Sequence, residues 1–183
     1  LATGYQGVGT IEYLMTQDGQ LYFMEMNTRL QVEHPVTEMV TGLDLVKWQI
    51  RVAAGIPLNF TQKDIQYRGH AIECRINAEN PMKNFLPGCG TVRVLHVPGG
   101  PGVRFDSALY QDYTVPPYYD SLVGKLVVHG TNREDAIRKM QAALCELVIE
   151  GIEHTGAFQQ KLIAEKGFID GSYTTDFLDS LRR

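Results

Sequence analysis

Five polar side chains recur at every second position of one short segment: Glu25, Asn27, Arg29, Gln31 and Glu33. Successive side chains of an extended strand point to opposite faces. A strand here would therefore bring these five onto one face and leave the mainly apolar residues between them on the other. Carboxylates, an amide and a guanidinium gathered in this way predict a polar site and not a hydrophobic core.

An antiparallel hairpin is predicted to lead into this segment. Asp18-Gly19 is a strong signal for a two-residue turn, and it separates two apolar segments with strand character. Pairing Gln17 with Gln20 across that turn sets the register of the two strands. In this register Glu12 lies directly opposite Glu25, on the same face of the hairpin. The same register sets two further pairs, Leu14 with Phe23 and Tyr13 with Met24.

Two carboxylates that face each other across a strand pair call for a cation. Like charges in directly opposite positions destabilise a sheet, and Glu is a poor strand former. Glu12, Glu25 and Asn27 offer only oxygen ligands, which suits magnesium or manganese. Because magnesium commonly completes its shell with phosphate oxygens and water, the hairpin also predicts a phosphate substrate. The alternative is the solvated face of an ordinary hairpin, but that interpretation would favour a Lys opposite Glu12.

Arg29 and Glu33 predict an anion site beside this metal. The planar guanidinium of Arg29 suits a carboxylate, a phosphate or bicarbonate, and Glu33 could act as a general base toward a bound acid. The alternative is a surface ion pair, which usually contributes little to stability. The closeness of both residues to the proposed metal favours the anion site.

The segment from Glu25 to Glu38 resembles the active-site signature of biotin carboxylases, which belong to the ATP-grasp enzymes. Three further segments carry the same resemblance, so that it covers nearly the whole chain: residues 69–79, 98–104 and 113–126. The resemblance implies an enzyme that uses ATP and bicarbonate to carboxylate biotin on a biotin carboxyl carrier protein. It further implies a carboxyphosphate intermediate and Mg²⁺ (or Mn²⁺).

The resemblance is strongest to the biotin carboxylase subunit of acetyl-CoA carboxylase. It implies the first half-reaction of that enzyme in fatty acid biosynthesis, a carboxyltransferase as partner and a homodimer of the full-length subunit. The corresponding part of a pyruvate or propionyl-CoA carboxylase stays open as an alternative. Two other hypotheses also stay open: a different ATP-grasp ligase that passes an acyl phosphate to an amine or thiol, and a non-catalytic module for dimerisation or carrier docking.

The resemblance implies a role for each matching position. Glu12, Glu25 and Asn27 match metal ligands, and Glu12, Leu14 and Glu25 match nucleotide-binding positions, with Leu14 at the adenine. Arg29, Gln31 and the backbone of Val32 match the bicarbonate site, and Glu33 matches the base that deprotonates bicarbonate. Arg75 matches an arginine that binds carboxyphosphate and stabilises the enolate-like form of biotin.

Arg75 stands in a segment whose pattern also predicts a strand. The residues at 70, 72, 74, 76 and 78 form a mainly apolar face, and those at 73, 75, 77 and 79 form a polar one. Without the family resemblance, an exposed strand face would be the preferred interpretation of Arg75.

The chain departs from the family in one important respect. It contains neither the glycine-rich lid nor the ATP-binding lysines that the family carries upstream, and the glycines at 4, 7 and 9 do not form a P-loop. We therefore expect this piece to be inactive by itself and the N-terminal part of the subunit to be missing. Pro101 replaces an aromatic residue that some relatives place at the subunit interface, whereas Arg104 keeps the neighbouring charge.

Composition limits the class of protein. The 183 residues are 44% hydrophobic and 21% charged, as expected of a globular chain that buries a core. A net charge of −4 without a basic stripe argues against a nucleic-acid partner. Three widely spaced cysteines favour free thiols in a reducing compartment, so we expect a cytoplasmic protein. No apolar run of membrane-spanning length is present, which argues against a membrane partner.

The predicted fold class is α+β, in two parts: residues 1–57 as the C-terminal end of an ATP-grasp domain and residues 68–183 as a biotin carboxylase C-terminal domain. In the first part, helices are predicted over 36–41 and 45–54, the second capped by Asp44 and burying Leu45, Trp48, Ile50 and Val52. The second part is predicted to form an antiparallel sheet with packed helices. Its predicted elements are strands around Arg75, over 91–97 and over 122–129, a helix capped by Asn132, and shorter helices over 157–166 and 175–181. The helix after Asn132 is predicted to place six apolar residues on one face that packs on the sheet: Ala136, Ile137, Met140, Ala143, Leu144 and Leu147.

Overall fold

The computed structural model describes residues 3–181 and consists of two compact units, with the boundary between Arg68 and Gly69. The first unit contains a hairpin and two helices: β1 (Thr10–Met15), β2 (Leu21–Asn27), α1 (His34–Thr41) and α2 (Leu45–Ala53), followed by a short 3₁₀ turn over Gln62–Asp64.

The hairpin turn differs from its prediction. Its loop has three residues, 17–19, closed by hydrogen bonds from Thr16 N to Gln20 O (3.0 Å) and from Gly19 N to Thr16 O (2.9 Å). Gly19 has a φ of 83°, so this is a type I turn completed by a glycine bulge. The predicted two-residue turn was therefore wrong, and so were two of the pairs derived from it. The observed partners are Tyr13 with Phe23 and Leu14 with Tyr22.

A second irregularity restores the predicted pairing of the two acidic residues. The register shifts between Glu12 and Tyr13, so that Met24 is the extra residue of a bulge. Beyond this bulge Glu12 lies opposite Glu25, as predicted, and Thr10 lies opposite Asn27. Relative to the predicted register, the pairing is displaced by one residue at the turn and by one residue in the opposite direction at the bulge. The two displacements cancel beyond the bulge.

The second strand ends earlier than the alternating pattern suggested. It stops at Asn27, whose partner Thr10 is the first residue of β1, and residues 28–33 form a loop that leads into α1. The prediction that Arg29, Gln31 and Glu33 continue one strand face was wrong. The physical reason is that pairing partners on β1 run out at Thr10, so two-residue spacing beyond Asn27 no longer reports a strand.

The two helices of the first unit follow their local signals closely. α1 starts two residues before its prediction, with Pro35 buried in its first turn, and ends at Gly42 in the left-handed region (φ 74°). α2 is capped by Asp44, whose Oδ1 accepts a hydrogen bond from Lys47 N at 2.8 Å. Of the four residues predicted to be buried on α2, Leu45, Trp48 and Val52 are only half-buried, and Ile50 is 66% exposed, so its predicted burial was wrong.

The second unit contains nine strands, four α-helices and a short 3₁₀ turn over Pro81–Lys83 among the residues that the structure describes. In chain order these are β3 (His70–Asn77), β4 (Glu79–Asn80), β5 (Leu86–Pro87), β6 (Gly90–Thr91), β7 (Val94–His96), β8 (Val103–Ser107), β9 (Thr114–Val115), β10 (Leu122–Gly130), α3 (Arg133–Glu146), β11 (Val148–Glu150), α4 (Gly156–Ala164), α5 (Lys166–Asp170) and α6 (Phe177–Leu181).

A three-stranded antiparallel sheet of order β3-β10-β8 forms the centre of this unit, and α3 packs on it. The α+β class and the antiparallel sheet are therefore confirmed. Asn132 caps α3 by accepting a hydrogen bond from Asp135 N at 2.9 Å. All six apolar residues predicted for the buried face of this helix region lie in the core: Ala136, Ile137, Met140, Ala143, Leu144 and Leu147.

The predicted strand over 91–97 is divided between two partners. β6 pairs with β9, whereas β7 pairs with β11, so the chain changes neighbours around Val92, which is fully buried. Arg93 N still donates to Glu150 O at 2.7 Å, and Val92 N donates to Tyr113 O at 2.9 Å. Because each piece bonds to a different segment, the single continuous strand was wrong. The helix predicted over 157–166 is likewise interrupted, at Glu165.

Candidate active site

The hairpin of the first unit gathers two carboxylates around one amide. Asn27 Nδ2 donates to Glu12 Oε1 at 2.9 Å and to Glu25 Oε1 at 3.1 Å. Glu12 and Asn27 are half-buried, whereas Glu25 is exposed. The cross-strand pairing and the bulge beside it place both carboxylates on the same side, because otherwise a single amide nitrogen could not reach them. The amide N–H groups thus lie between two like charges that would otherwise face each other.

The same three side chains offer a fitting donor set for a divalent cation. Two carboxylate oxygens converge on a single point, and the amide oxygen of Asn27 supplies a third oxygen ligand when the amide turns over. Within residues 3–181, no group of three His, Cys, Asp or Glu side chains has metal-binding geometry. Such a set suits magnesium, which takes few protein ligands.

A cation and a further amide extend this cluster. Arg29 Nη2 lies 3.5 Å from Asn27 Oδ1, and Arg29 Nη1 lies 3.4 Å from the carbonyl oxygen of Leu30. Gln31 Nε2 donates to Glu12 Oε1 at 3.4 Å. Although Arg29 and Gln31 do not continue the strand, the loop over 28–33 still brings both of them to this cluster, Gln31 to the carboxylate of Glu12 and Arg29 to the amide oxygen of Asn27.

The remaining predicted residues of the first unit lie at the start of α1 and on β1. Val32 and Glu33 come directly before the first helical residue, His34, and the side chain of Glu33 is exposed. His34 Nδ1 lies 2.8 Å from Gln31 O; because a carbonyl only accepts, Nδ1 carries the proton. Leu14 is exposed and lies opposite Tyr22 on the hairpin.

Arg75 lies in the second unit, on the polar face of β3. Cys74 and Ile76 beside it point into the core, while Arg75 itself is exposed. Its cross-strand neighbour on β10 is Lys125, and the neighbour of Lys125 on β8 is Asp106. These two residues were missed from the sequence. The signal for Lys125 was present, since it is the single charged residue of the apolar segment Leu122–Val128.

A cavity of about 460 Å³ lies beside Lys125 and Asp106. The end of β8, the start of β10 and the loop around β9 line it. Its polar lining includes Asp106, Lys125 and Asp120, and its apolar lining includes Leu109 and Val115. The polar face of the sheet therefore opens onto a space of the size that small organic ligands occupy.

Titratable groups with shifted pKa values lie outside these clusters. Burial, together with the charge of Glu73, raises the pKa of Cys74 to about 12. Burial lowers the pKa of His154, and burial followed by the charge of Arg133 lowers the pKa of His70. All three groups are therefore neutral near pH 7, as expected of packing residues.

No helix in the described part of the chain has the length and apolarity to cross a membrane.

Family comparisons match both parts of the chain. Residues 73–180 match the biotin carboxylase C-terminal domain, and residues 1–61 match the ATP-binding domain of the carbamoyl-phosphate synthase L chain. The two matches fall on the two compact units.

Curated relatives match almost the whole chain. Biotin carboxylase 1 of Bacillus subtilis is 54% identical over 180 residues, which is 98% of this chain and 40% of the relative. A pyruvate carboxylase subunit from Methanothermobacter thermautotrophicus is 52% identical over 98% of this chain and 36% of its own length. The chain thus spans about 40% of the length of such relatives.

Solved structures with the same fold include two biotin carboxylase domains. The biotin carboxylase domain dimer of Hydrogenobacter thermophilus 2-oxoglutarate carboxylase, in complex with MgADP, ADP and bicarbonate, matches with a TM-score of 0.95 and 48% identity over 99% of this chain and 40% of that one. The biotin carboxylase subunit of a pyruvate carboxylase matches with a TM-score of 0.95 and 46% identity, with the same coverage. A family match over more than half of the chain, close relatives and a shared fold together show that this chain belongs to the biotin carboxylase family.

Proposed function

We propose that this chain is the C-terminal part of a biotin carboxylase subunit, which carboxylates biotin on a carrier protein at the expense of ATP and bicarbonate. The observation that carries the proposal is the cluster of Glu12, Glu25 and Asn27, in which two carboxylates converge on one amide. Family membership supports it, because residues 1–61 and 73–180 match an ATP-binding domain and a biotin carboxylase domain. We assign residues 1–57 and 68–183 to these domains.

Glu12, Glu25 and Asn27 are proposed to hold Mg²⁺, or Mn²⁺ in its place. A bound divalent cation would neutralise the phosphates of ATP, and the two carboxylates would anchor it. Glu12 and Glu25 thereby belong to the nucleotide site, to which Leu14 adds an exposed apolar side chain for the adenine. MgADP in the Hydrogenobacter structure supports this assignment.

Arg29, Gln31 and the backbone of Val32 are proposed to bind bicarbonate. Arg29 offers a forked cation, and Val32 lies at the positive end of α1, so both favour an anion. Glu33 would take the proton of bicarbonate, leaving an oxygen that attacks the γ-phosphate of ATP. Carboxyphosphate and ADP are the products of this step. The bicarbonate of the Hydrogenobacter complex supports the choice of anion.

Arg75 is proposed to act in the second step, in which the carboxyl group passes to biotin. Its guanidinium would bind carboxyphosphate and stabilise the negative charge that develops on the ureido oxygen of biotin. The exposure of Arg75 on a polar sheet face supports a role in binding, since the core-facing side of β3 supplies the packing.

We further propose that the full-length subunit is a cytoplasmic homodimer that works with a biotin carboxyl carrier protein and a carboxyltransferase. The solved dimer of the Hydrogenobacter domain supports the dimer, and the free thiols of Cys74, Cys89 and Cys145 support a reducing compartment. We assign the reaction to acetyl-CoA carboxylase and fatty acid biosynthesis. Relatives also work in pyruvate and 2-oxoglutarate carboxylases, so the acceptor has to be tested with the transferase.

The test is an assay of bicarbonate-dependent ATP hydrolysis by the full-length subunit, with and without free biotin. Stimulation by biotin is expected. Stimulation by an amine acceptor in place of biotin would contradict the proposal and favour another ATP-grasp ligase. Transfer of the carboxyl group from the carrier to acetyl-CoA, and not to pyruvate, would identify the parent enzyme.

A further inference from the structure

A row of three charged residues crosses the central sheet of the second unit. Arg75 on β3 lies directly opposite Lys125 on β10, and Lys125 lies directly opposite Asp106 on β8. Directly paired residues of antiparallel strands point to the same face. The neighbouring row of Cys74, Leu126 and Phe105 takes the other face, where Cys74 and Leu126 are buried in the core. The charged row therefore lies on the polar face of the sheet.

An ion pair with Asp106 holds the ammonium group of Lys125, and Asp106 lies on the strand opposite to that of Arg75. Its Nζ lies 3.8 Å from Asp106 Oδ2, and its side chain is only 15% exposed. Asp106 is itself fixed by a two-pronged ion pair, in which Arg104 Nε donates to Oδ1 and Arg104 Nη2 to Oδ2, both at 2.7 Å. The ammonium group is thus confined between the strands and cannot swing freely into solvent.

The pairing of Lys125 with Arg75 is unfavourable for the sheet alone. Like charges in directly opposite positions destabilise a strand pair, and the partial burial of Lys125 adds a cost of desolvation. Arg75 and Lys125 are thus neighbouring cations of one row, and Glu73, Val127 and Arg104 form the next row on the same face. An anion that binds at Arg75 therefore meets a second fixed positive charge behind the first.

We propose that Lys125 is a positioning residue for Arg75. Its ammonium, anchored by Asp106, repels the guanidinium of Arg75 toward the exposed side of the sheet and raises the positive potential there. This inference rests on the proposed function, because it assigns Arg75 to the anionic species of the biotin step. The competing explanation is that Lys125 only forms a structural ion pair with Asp106.

The test compares two substitutions in the full-length subunit. Lys125→Met removes the charge and keeps most of the apolar stem, and Lys125→Arg keeps the charge. Lys125→Met is expected to lower kcat/KM for biotin by about tenfold, which is the size of effect expected from losing one partly screened unit charge near the reacting anion. The KM for ATP is expected to stay within about twofold of the wild type. Lys125→Arg is expected to recover kcat/KM to within about threefold of the wild type. Lys161→Met, which removes an exposed lysine from α4, controls for net charge.

Three results distinguish the explanations. Wild-type kcat/KM in Lys125→Met, with Arg75→Ala still impaired, would overturn the inference and leave the proposed function intact. An equal loss in Lys125→Arg and Lys125→Met, accompanied by a lower melting temperature in both, would assign Lys125 to the structure alone and also overturn it. If the wild-type subunit does not carboxylate biotin at all, the proposed function fails before Lys125 is tested.

Discussion

Replacing Glu25 by Gln should change two properties of the hairpin in opposite directions. Glu12 and Glu25 each accept a hydrogen bond from Asn27 Nδ2, so their Oε1 atoms are at most about 6 Å apart. Two unit charges at this distance repel each other by about 1 kcal/mol at the high effective dielectric constant of an exposed site. Gln keeps the acceptor oxygen for Asn27 and removes this repulsion. The metal-free protein should therefore become more stable, by about 1 kcal/mol.

The same substitution should weaken metal binding, because it removes one of two charged ligands. We expect the concentration of Mg²⁺ that half-activates ATP hydrolysis to rise at least about tenfold, equivalent to about 1.4 kcal/mol. The assays are urea unfolding in EDTA and a magnesium titration of the bicarbonate-dependent ATPase, both with the full-length subunit. Glu153→Gln, at an exposed position of the second unit, is the control for net charge.

The two readouts separate a metal site from a solvated surface. An ordinary exposed carboxylate would give no change in either assay. A loss of stability in EDTA, combined with an unchanged magnesium requirement, would contradict the metal site, since it would mean that Glu25 stabilises the hairpin and binds no cation.

Three further predictions concern other residues. Arg75→Ala should slow biotin carboxylation by about 100-fold or more and change the Kd for ADP less than about twofold; equal loss of both would contradict its assignment to the biotin step. Glu33→Gln should lower bicarbonate-dependent ATP hydrolysis by about 10²–10⁴-fold with the magnesium requirement unchanged, and a rate near that of the wild type would exclude it as the base. Burial raises the pKa of Cys74 from 9.0 to about 12, so the unfolded chain loses this proton first as the pH rises. Stability should therefore fall between pH 9 and pH 12, by about 1.4 kcal/mol per pH unit; urea unfolding of Cys74→Ala should lack this slope, and an identical slope in both proteins would refute it.

The pairing of Glu12 with Glu25 shows how far local patterns reach. It was predicted from Asp18-Gly19, yet the turn has three residues in its loop, and only the bulge at Met24 restores the register. A β-bulge leaves no dependable mark in the sequence, so the correct pair followed from two offsets of opposite sign. The cross-strand partner of Glu12 was predicted correctly, whereas those of Tyr13 and Leu14 were not.

Patterns that depend on short-range chemistry were more dependable than those that depend on tertiary partners. The caps at Asp44 and Asn132 and the stop at Gly42 were predictable, because each acts through bonds within a few residues. The strand over 91–97 failed because its halves pair with segments far away along the chain. Burial of Ile50 failed because helical spacing does not reveal how wide the covered stripe is.

The candidate site shows the same division. Alternation identified the polar residues from Glu25 to Glu33, although β2 ends at Asn27 and a loop carries the rest. Lys125 was missed because its significance lies in its partners, Arg75 and Asp106, which are 50 and 19 positions away. A charged residue inside an apolar strand is a visible signal, but only the sheet register assigns it a neighbour.

The proposed reaction can be measured directly as transfer of radiolabelled bicarbonate to biotin by the full-length subunit, with ATP and with magnesium added or removed by EDTA. We expect labelled carboxybiotin that requires both ATP and magnesium and that falls sharply in Glu25→Gln at low magnesium. Labelling that is independent of magnesium, or ATP hydrolysis that biotin does not stimulate, would contradict it.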